Sequence, residues 1–102
     1  MTKQEKIQVI QSLLKEQRSG RFYEALEDMD DLRNNYFDYM TTKPINCSEE
    51  LKRVSVADYE LCTALLTMLL REDHFSNGSF ERRVQAGDVK IILERMIEIL
   101  ES

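Results

Sequence analysis

The chain has 102 residues, of which 42% are hydrophobic and 32% charged, and its net charge is −5; this composition is typical of one small globular domain and argues against a disordered segment. No apolar run reaches the roughly 18 residues that span a bilayer, the amino-terminal residues do not resemble a secretory signal, and the acidic balance disfavours nonspecific binding to nucleic acid or anionic membranes. The two cysteines, Cys47 and Cys62, give no disulfide framework, so we expect a reduced, cytoplasmic protein.

The spacing of apolar residues predicts helices along the whole chain. The first helix is expected to begin at Thr2, where Thr2 and Glu5 can form a capping box, and to end at Gly20. The second is expected over residues 21–40, because its apolar residues follow a 3.6-residue period. Lys43-Pro44 then interrupts the helical pattern, and a short helical turn is expected over residues 48–53.

The third main helix is expected over residues 55–72, with Ser55 and Asp58 at its start. It is apolar on nearly every side, apart from one narrow polar stripe formed by Glu60, Thr63, Thr67 and Arg71. A helix of this kind is normally central in a domain, and the alternative is a homodimer contact through helix 55–72.

Two further helices complete the predicted fold. A short helix is expected over residues 79–86, ended by Gly87, and a helix capped by Asp88 follows it. The sequence therefore predicts a single all-α domain over residues 1–102, built as a compact bundle of four main helices plus one or two short helices.

Residues 61–100 carry a pattern of an apolar helix, a polar break, a short helix, a glycine and a closing Leu-rich helix. Its positions are Leu65, Leu66, Thr67, Arg71, His74, Phe75, Gly78, Phe80, Gly87, Ile92 and Leu93. This pattern resembles an uncharacterised family of prokaryotic helical domains of unknown function. The resemblance implies a small helical domain of bacterial or phage origin and brings no established activity, cofactor or catalytic residues.

An acidic stretch lies within the predicted second helix. It contains five carboxylates and no basic residue: Glu24, Glu27, Asp28, Asp30 and Asp31. An EF-hand calcium loop needs alternating oxygen ligands and a central glycine, but Leu32 takes a ligand position here and no glycine is present. We expect a solvated helix face, and the alternatives are an acidic docking surface for a basic partner or a nucleic-acid mimic. Glu27, Asp31 and Asp38 are the candidates on this face.

Arg33 falls inside the apolar arc of the predicted second helix. A charge in that position must either reach outward to solvent or find an acidic partner. The functional alternative is a charged anchor for an anionic group in a cleft. Together with Tyr59, Arg71 and His74, Arg33 could form a small-molecule-binding or catalytic pocket.

The polar break after the third helix collects the other candidate site residues. They are Arg71, His74, Asn77, Arg82 and Arg83. His74 is the only histidine, so a zinc site would lack ligands, and no metal is expected. Arg82, Arg83 and Lys90 could instead serve a helix-turn-helix-like nucleic-acid regulator, although Glu81 and the acidic net charge disfavour that role.

The sequence shows no P-loop, GxGxxG, GxSxG or HExxH motif. We therefore expect a non-catalytic protein–protein interaction or regulatory module that uses no cofactor. Its expected surfaces are the acidic face of the second helix and the connection from His74 to Arg83. The small-molecule or catalytic pocket and the nucleic-acid regulator remain the alternatives.

Overall fold

Helices make up 75% of the chain and no strand is present, which confirms the predicted all-α fold. The computed structural model describes all 102 residues. Its helices are α1 (Lys3–Lys15), α2 (Ser19–Asp28), α3 (Cys47–Glu50), α4 (Tyr59–Phe75), α5 (Ser79–Ala86) and α6 (Asp88–Glu101). Two 3-10 turns, Tyr36–Tyr39 and Leu51–Val56, lie between α2 and α4.

Helix α4 occupies the centre of the fold and is contacted by α5, α6 and the Tyr36–Tyr39 turn. Every residue from Cys62 to Leu70 is buried, as expected for a helix that is apolar on nearly every side. These residues join the buried faces of the neighbouring helices in one core of 21 buried residues. Because the chain itself covers the middle of α4, the predicted homodimer contact through residues 55–72 finds only one exposed large apolar side chain, Val56.

Several predicted helix boundaries are confirmed by local geometry. Thr2 Oγ1 accepts the Glu5 N–H (3.1 Å) and the Thr2 N–H donates to Glu5 Oε1 (3.0 Å), which is the predicted capping box. Helix α5 lies between Gly78 and Gly87, whose φ angles are 83° and 86°. Glycine adopts this left-handed conformation without a Cβ clash, so both ends of α5 are marked in the sequence. Helix α6 begins directly afterwards, at Asp88. The predicted cap is wrong, because Gly87 is the N-cap and the Asp88 side chain accepts a hydrogen bond from Arg83 instead of capping the helix.

The predicted start of the third main helix is wrong. Helix α4 begins at Tyr59 rather than Ser55, because the preceding residues form the Leu51–Val56 turn. The cap is Asp58, whose Oδ1 accepts the N–H of Leu61 (2.8 Å). Ser55 offers no cap to the helix that follows.

The predicted end of the first helix is also wrong. Helix α1 ends at Lys15, and Gly20 lies inside α2. The side-chain amide of Gln17 donates to the carbonyl oxygen of Leu14 (3.0 Å), which satisfies one of the acceptors left free at a helix end. The chain can therefore stop the helix there without a glycine.

The largest correction concerns the second helix, which ends at Asp28 rather than Met40. Asp30 adopts the left-handed conformation, with φ 58°. The N–H of Asp30 donates to the carbonyl of Glu27 (3.0 Å) and that of Asp31 donates to the carbonyl of Leu26 (2.8 Å). This pair of bonds is the Schellman motif, with aspartate where glycine is usual.

Four of the five apolar residues that suggested a longer helix still reach the core. Met29 and Met40 are buried, while Leu32 and Tyr36 pack against the core from an irregular segment. The fifth, Phe37, is 56% exposed. The 3.6-residue spacing therefore indicated burial correctly for four of the five and helical conformation wrongly. None of the six helices is both long enough and apolar enough to cross a membrane.

Candidate functional site

The segment after α2 lies along the polar stripe that the sequence predicts for α4. The N–H of Arg33 donates to Thr67 Oγ1 (3.2 Å), and its Nε donates to Thr63 Oγ1 (2.9 Å). Both threonines are buried, so these bonds give partners to polar atoms in the core. The predicted placement of Arg33 on a helix is wrong: it belongs to an irregular segment that leaves its side chain 27% exposed.

Asp31 is the centre of a mostly buried polar cluster. Its carboxylate accepts hydrogen bonds from Lys6 Nζ (3.1 Å) and the Tyr59 hydroxyl (2.6 Å), and Arg33 Nη2 lies 3.9 Å away. Burial and the adjacent carboxylate raise the pKa of Tyr59, so the phenol is held protonated as a donor. The cluster joins α1 and α4 to the segment after α2.

The acidic surface predicted on the second helix is therefore only partly present. Asp31 is only 4% exposed, so its assignment to a solvated face is wrong; Lys6 and Tyr59, from other parts of the chain, hold its carboxylate inside. Glu27 and Asp38 are exposed. They no longer share a helix, because Glu27 belongs to α2 and Asp38 to the Tyr36–Tyr39 turn.

A second polar cluster forms near the carboxyl end of α4. The Tyr23 hydroxyl lies 3.0 Å from His74 Nε2, and the Arg71 guanidinium lies over the Tyr23 ring, 5.6 Å from its centroid. Arg71 Nη2 also donates to Asn34 Oδ1 (3.1 Å). Arg71 and His74 thus hold α2 and the segment after it against α4.

The four groups of the predicted pocket fall into these two clusters. Arg33 and Tyr59 meet at the Asp31 carboxylate, whereas Arg71 and His74 meet at Tyr23. Each group has a hydrogen-bond or stacking partner within the chain. The structure therefore does not bring the four together around one cavity.

The two arginines of the predicted nucleic-acid surface differ in their partners. Arg83 donates to both oxygens of Glu72 (3.1 and 2.9 Å), to Asp88 (3.2 Å) and to Ser48 Oγ (3.3 Å). The hydrogen bonds with Glu72 raise the pKa of Arg83 and lower that of the carboxylate. Its guanidinium is thus committed to a bidentate pair within the chain.

Arg82 has no carboxylate partner. Its guanidinium donates to Ser76 Oγ (3.2 Å) and to the carbonyl of Asn77 (3.4 Å). Arg82, Asn77 and Lys90 are all exposed. Of the three cations predicted to contact phosphate, Arg82 and Lys90 therefore have no carboxylate partner, whereas Arg83 is paired within the chain.

An apolar groove opens beside the carboxyl end of α4. Its cavity has a volume of about 480 Å³. The lining residues are Tyr36, Pro44, Ile45, Cys47, Met68, Glu72, Phe75 and Ser76, of which five are hydrophobic. We call this set the apolar groove. Phe75 is 89% exposed and Ile45 is 36% exposed, so a phenyl ring and an aliphatic side chain are both left open to water.

A smaller cavity of about 300 Å³ continues the apolar groove past Pro44 and Ile45, which line both. Phe37 stands at this second cavity and is 56% exposed. The rings of Tyr36 and Phe37 pack edge to face, with centroids 5.8 Å apart. Three of the six exposed large hydrophobic residues of the chain, Phe37, Ile45 and Phe75, therefore lie at two adjoining cavities.

A buried carboxylate holds the loop that forms one wall of the apolar groove. Glu50 is 0% exposed and accepts the N–H groups of Thr41 (3.0 Å) and Thr42 (2.7 Å) as well as Arg53 Nη1 (2.8 Å). The two threonine hydroxyls donate to it as well. Glu50 thereby ties the start of the Pro44-containing loop to α3.

The pKa of Glu50 follows from these contacts. Burial alone would raise it, but the hydrogen bonds from Thr42, Arg53 and Thr41 outweigh burial and lower the pKa to about 2. Sequence analysis did not find this residue, because a glutamate in a short polar stretch has the pattern of an exposed helical turn.

The depressed pKa makes stability depend on pH in the acid range. A carboxylate whose pKa is lower in the folded state stabilises the protein above its unfolded pKa, and that contribution is lost as the pH falls through the folded value. With 4.5 for the unfolded and about 2 for the folded value, we expect a loss of about 3 kcal/mol between pH 4.5 and 2. Urea unfolding at pH 6, 4 and 3 measures this slope, and the Glu50 side-chain carbon signal in an NMR titration assigns it. A Glu50 signal that titrates near pH 4.5 would contradict the account.

Cys62 is buried and Cys47 is partly exposed. Burial raises the pKa of Cys62 to about 12, and burial together with the Glu72 carboxylate raises that of Cys47 to about 11. Each side chain is therefore a thiol rather than a thiolate at neutral pH. No group of three or more His, Cys, Asp or Glu side chains is placed to hold a metal ion.

Comparisons with curated proteins and with solved structures gave no match. A family model described as a family of unknown function matches residues 1–102. The match includes the pattern over residues 61–100 and extends the resemblance to α1, α2 and the loop that forms the wall of the apolar groove. The chain belongs to this family, DUF6508.

Proposed function

We propose that this protein is a non-catalytic interaction module whose apolar groove takes a segment of a partner protein. The observation that carries the proposal is Phe75, which is 89% exposed and lies at the rim of a cavity of about 480 Å³. Complete burial of a phenylalanine side chain is worth roughly 1.5–3 kcal/mol. A partner that covers this ring would gain most of that free energy.

The grouping of exposed side chains supports a docking surface over a chance exposure. Single exposed hydrophobic residues are ordinary on a protein surface, and Val56 and Ile91 are of that kind. Phe37, Ile45 and Phe75 instead line two cavities that share a wall. Clustered apolar exposure with a polar rim is the usual character of a protein interaction site.

The shape of the groove favours a segment that inserts one or two apolar side chains. The cavity lies between the end of α4 and the loop of Pro44 and Ile45. Both walls are held firmly, one by the core packing of α4 and the other by Glu50. A preformed groove avoids the ordering cost that a flexible one would impose on binding.

Selection from a library of random 16-residue peptides tests the proposal. We expect the wild-type protein to enrich peptides whose binding is reduced at least about tenfold by Phe75→Ser, because loss of the ring removes the roughly 1.5–3 kcal/mol of apolar contact. Val56→Ser is the matched control, since Val56 is 81% exposed and lies outside the groove. It should leave binding within about twofold of the wild type.

Two results would overturn the proposed function. One is the absence of any peptide bound above background, and the other is equal binding by Phe75→Ser and the wild type. Both side chains are exposed, so both variants should unfold at temperatures close to that of the wild type. A third outcome is that a second copy of this chain occupies the groove. Sedimentation of the protein without peptide detects it as a dimer.

A further inference from the structure

Some of the lysine and arginine side chains that lack a carboxylate partner lie near the apolar groove. Eight of the 14 lysine and arginine side chains form ion pairs within the chain. The six without a carboxylate partner are Lys3, Lys15, Lys43, Arg71, Arg82 and Lys90. Of these six, Lys43 lines the second cavity, and Arg71 and Arg82 lie near the Phe75 end of α4, on a protein whose net charge is −5.

Two of the three, Arg71 and Arg82, lie near the end of α4 that carries Phe75. Arg82 Nη2 donates to the hydroxyl of Ser76, which follows Phe75 and lines the groove. Arg71 precedes Phe75 by four residues, and side chains at this spacing are neighbours on a helix surface. Two guanidinium groups without a carboxylate partner therefore lie near this end of α4. Arg82 lines a neighbouring cavity that shares Glu72 and Ser76 with the groove, and Arg71 is held by Asn34 and Tyr23.

The carboxylates near this end of the groove are already engaged. Glu72, the only acidic residue among the eight that line the groove, forms a bidentate pair with Arg83. Asp73 accepts the N–H of Phe80 (3.1 Å) at the start of α5. In the second cavity, the charges of Asp38 and Lys43 offset each other. The uncompensated charge is thus positive and confined to the Phe75 end.

We propose that the partner segment is acidic, with an apolar side chain in the groove and aspartate or glutamate placed next to it, between Arg71 and Arg82. This inference rests on the proposed function and specifies the chemistry of the partner. Guanidinium groups bind carboxylates through two parallel hydrogen bonds. A basic segment at the same place would meet two unpaired positive charges and would be rejected.

The overall acidity of the protein does not oppose this partner. Charges separated by more than about 8 Å are largely screened at physiological ionic strength, so a bound segment responds mainly to the groups that it touches. The acidic remainder of the surface instead disfavours attachment elsewhere on the molecule. A nucleic acid is less well matched, because it would place phosphates against an apolar cavity and only two nearby guanidinium groups.

The composition of peptides selected on the protein tests the inference. We expect the Phe75-dependent peptides to be enriched in Asp and Glu next to Leu, Phe or a similar side chain. Arg82→Glu should weaken the binding of these peptides at least about tenfold, because it removes a charge-assisted hydrogen bond worth roughly 1.5–3 kcal/mol. Lys90→Glu is the matched control, because it changes the net charge equally in the first turn of another helix. It should change affinity less than about threefold, and the affinity of the wild type should fall with added salt.

The outcomes separate the two proposals. The proposal of an acidic partner would be overturned if the Phe75-dependent peptides were neutral or basic. It would also be overturned if they bound Arg82→Glu and Lys90→Glu equally well. In either case the proposed interaction module would not be contradicted. Selection on Arg82→Glu itself gives a further check, because the preferred peptides should shift from acidic towards basic residues. The absence of any Phe75-dependent peptide would remove both proposals together.

Discussion

Replacing Glu50 with alanine is expected to lower the free energy of unfolding by about 3–5 kcal/mol, the usual result of removing one member of a buried ion pair. The carboxylate is 0% exposed and accepts two backbone N–H groups, two hydroxyls and Arg53. Without it, these donors lose an acceptor that is itself fully buried, and each donor left unsatisfied costs about 1–3 kcal/mol. Urea unfolding monitored by circular dichroism gives the free energy directly.

Glu49→Ala is the control for that variant. Glu49 belongs to the same short helix, but its ion pair with Lys52 is solvent-exposed, and such pairs are worth roughly 0–1 kcal/mol. We expect this substitution to change stability by less than about 1 kcal/mol. Equal effects of the two substitutions would show that Glu50 does not hold the loop.

The Glu50 substitution also links stability to the candidate site. The Thr41-Thr42 dipeptide that Glu50 holds lies just before Pro44 and Ile45, which form one wall of the apolar groove. In conditions where Glu50→Ala remains folded, we expect weaker binding of any Phe75-dependent peptide, because the wall is no longer preformed. The groove thus depends on a residue that does not line it.

Replacing Asp31 with alanine is expected to lower the free energy of unfolding by about 3 kcal/mol. The substitution leaves the Tyr59 hydroxyl without its acceptor and removes the partner of Lys6. Because Asp31 connects α1, α4 and the segment after α2, its loss should lower the stability of the whole domain rather than that of one helix. Chemical unfolding of the variant measures the effect.

Two comparisons sharpen the Asp31 experiment. Asp28→Ala removes an exposed carboxylate at the end of α2 and should change stability by less than about 0.5 kcal/mol. Asp31→Asn keeps an acceptor for Tyr59 but loses the charge that faces Lys6. We therefore expect it to lower the free energy of unfolding by an intermediate amount. If Asp31→Ala is no more destabilising than Asp28→Ala, the cluster is not a stabilising element.

The two ends of α5, which are marked by glycine, could be predicted, while the carboxyl end of α2, which is formed by another residue, could not. Gly78 and Gly87 mark α5 because both take a left-handed conformation. Asp30 takes the same conformation without being glycine, so the end of α2 had no recognisable signal. Apolar spacing then extended the prediction to Met40, since burial in an irregular segment and burial on a helix face left similar patterns.

The candidate site was located only approximately by the sequence. The polar break after α4 was predicted to hold a surface, and Arg82 does bond Ser76, which lines the groove proposed here. The groove itself joins residues such as Ile45 and Phe75, which are 30 positions apart, and only the folded chain brings them together. Arg83 could not be separated from Arg82 beforehand, because its partners Glu72 and Asp88 come from other helices.

The most direct test of the proposed function is to map where a selected peptide binds. The measurement is a titration of the ¹⁵N-labelled protein with a Phe75-dependent peptide, followed through backbone amide shifts. The account predicts that the largest shifts fall at Tyr36, Ile45, Cys47, Phe75, Ser76 and Arg82, with little change along α1. Shifts concentrated on the outer faces of α1 and α6, with the groove residues unchanged, would contradict it.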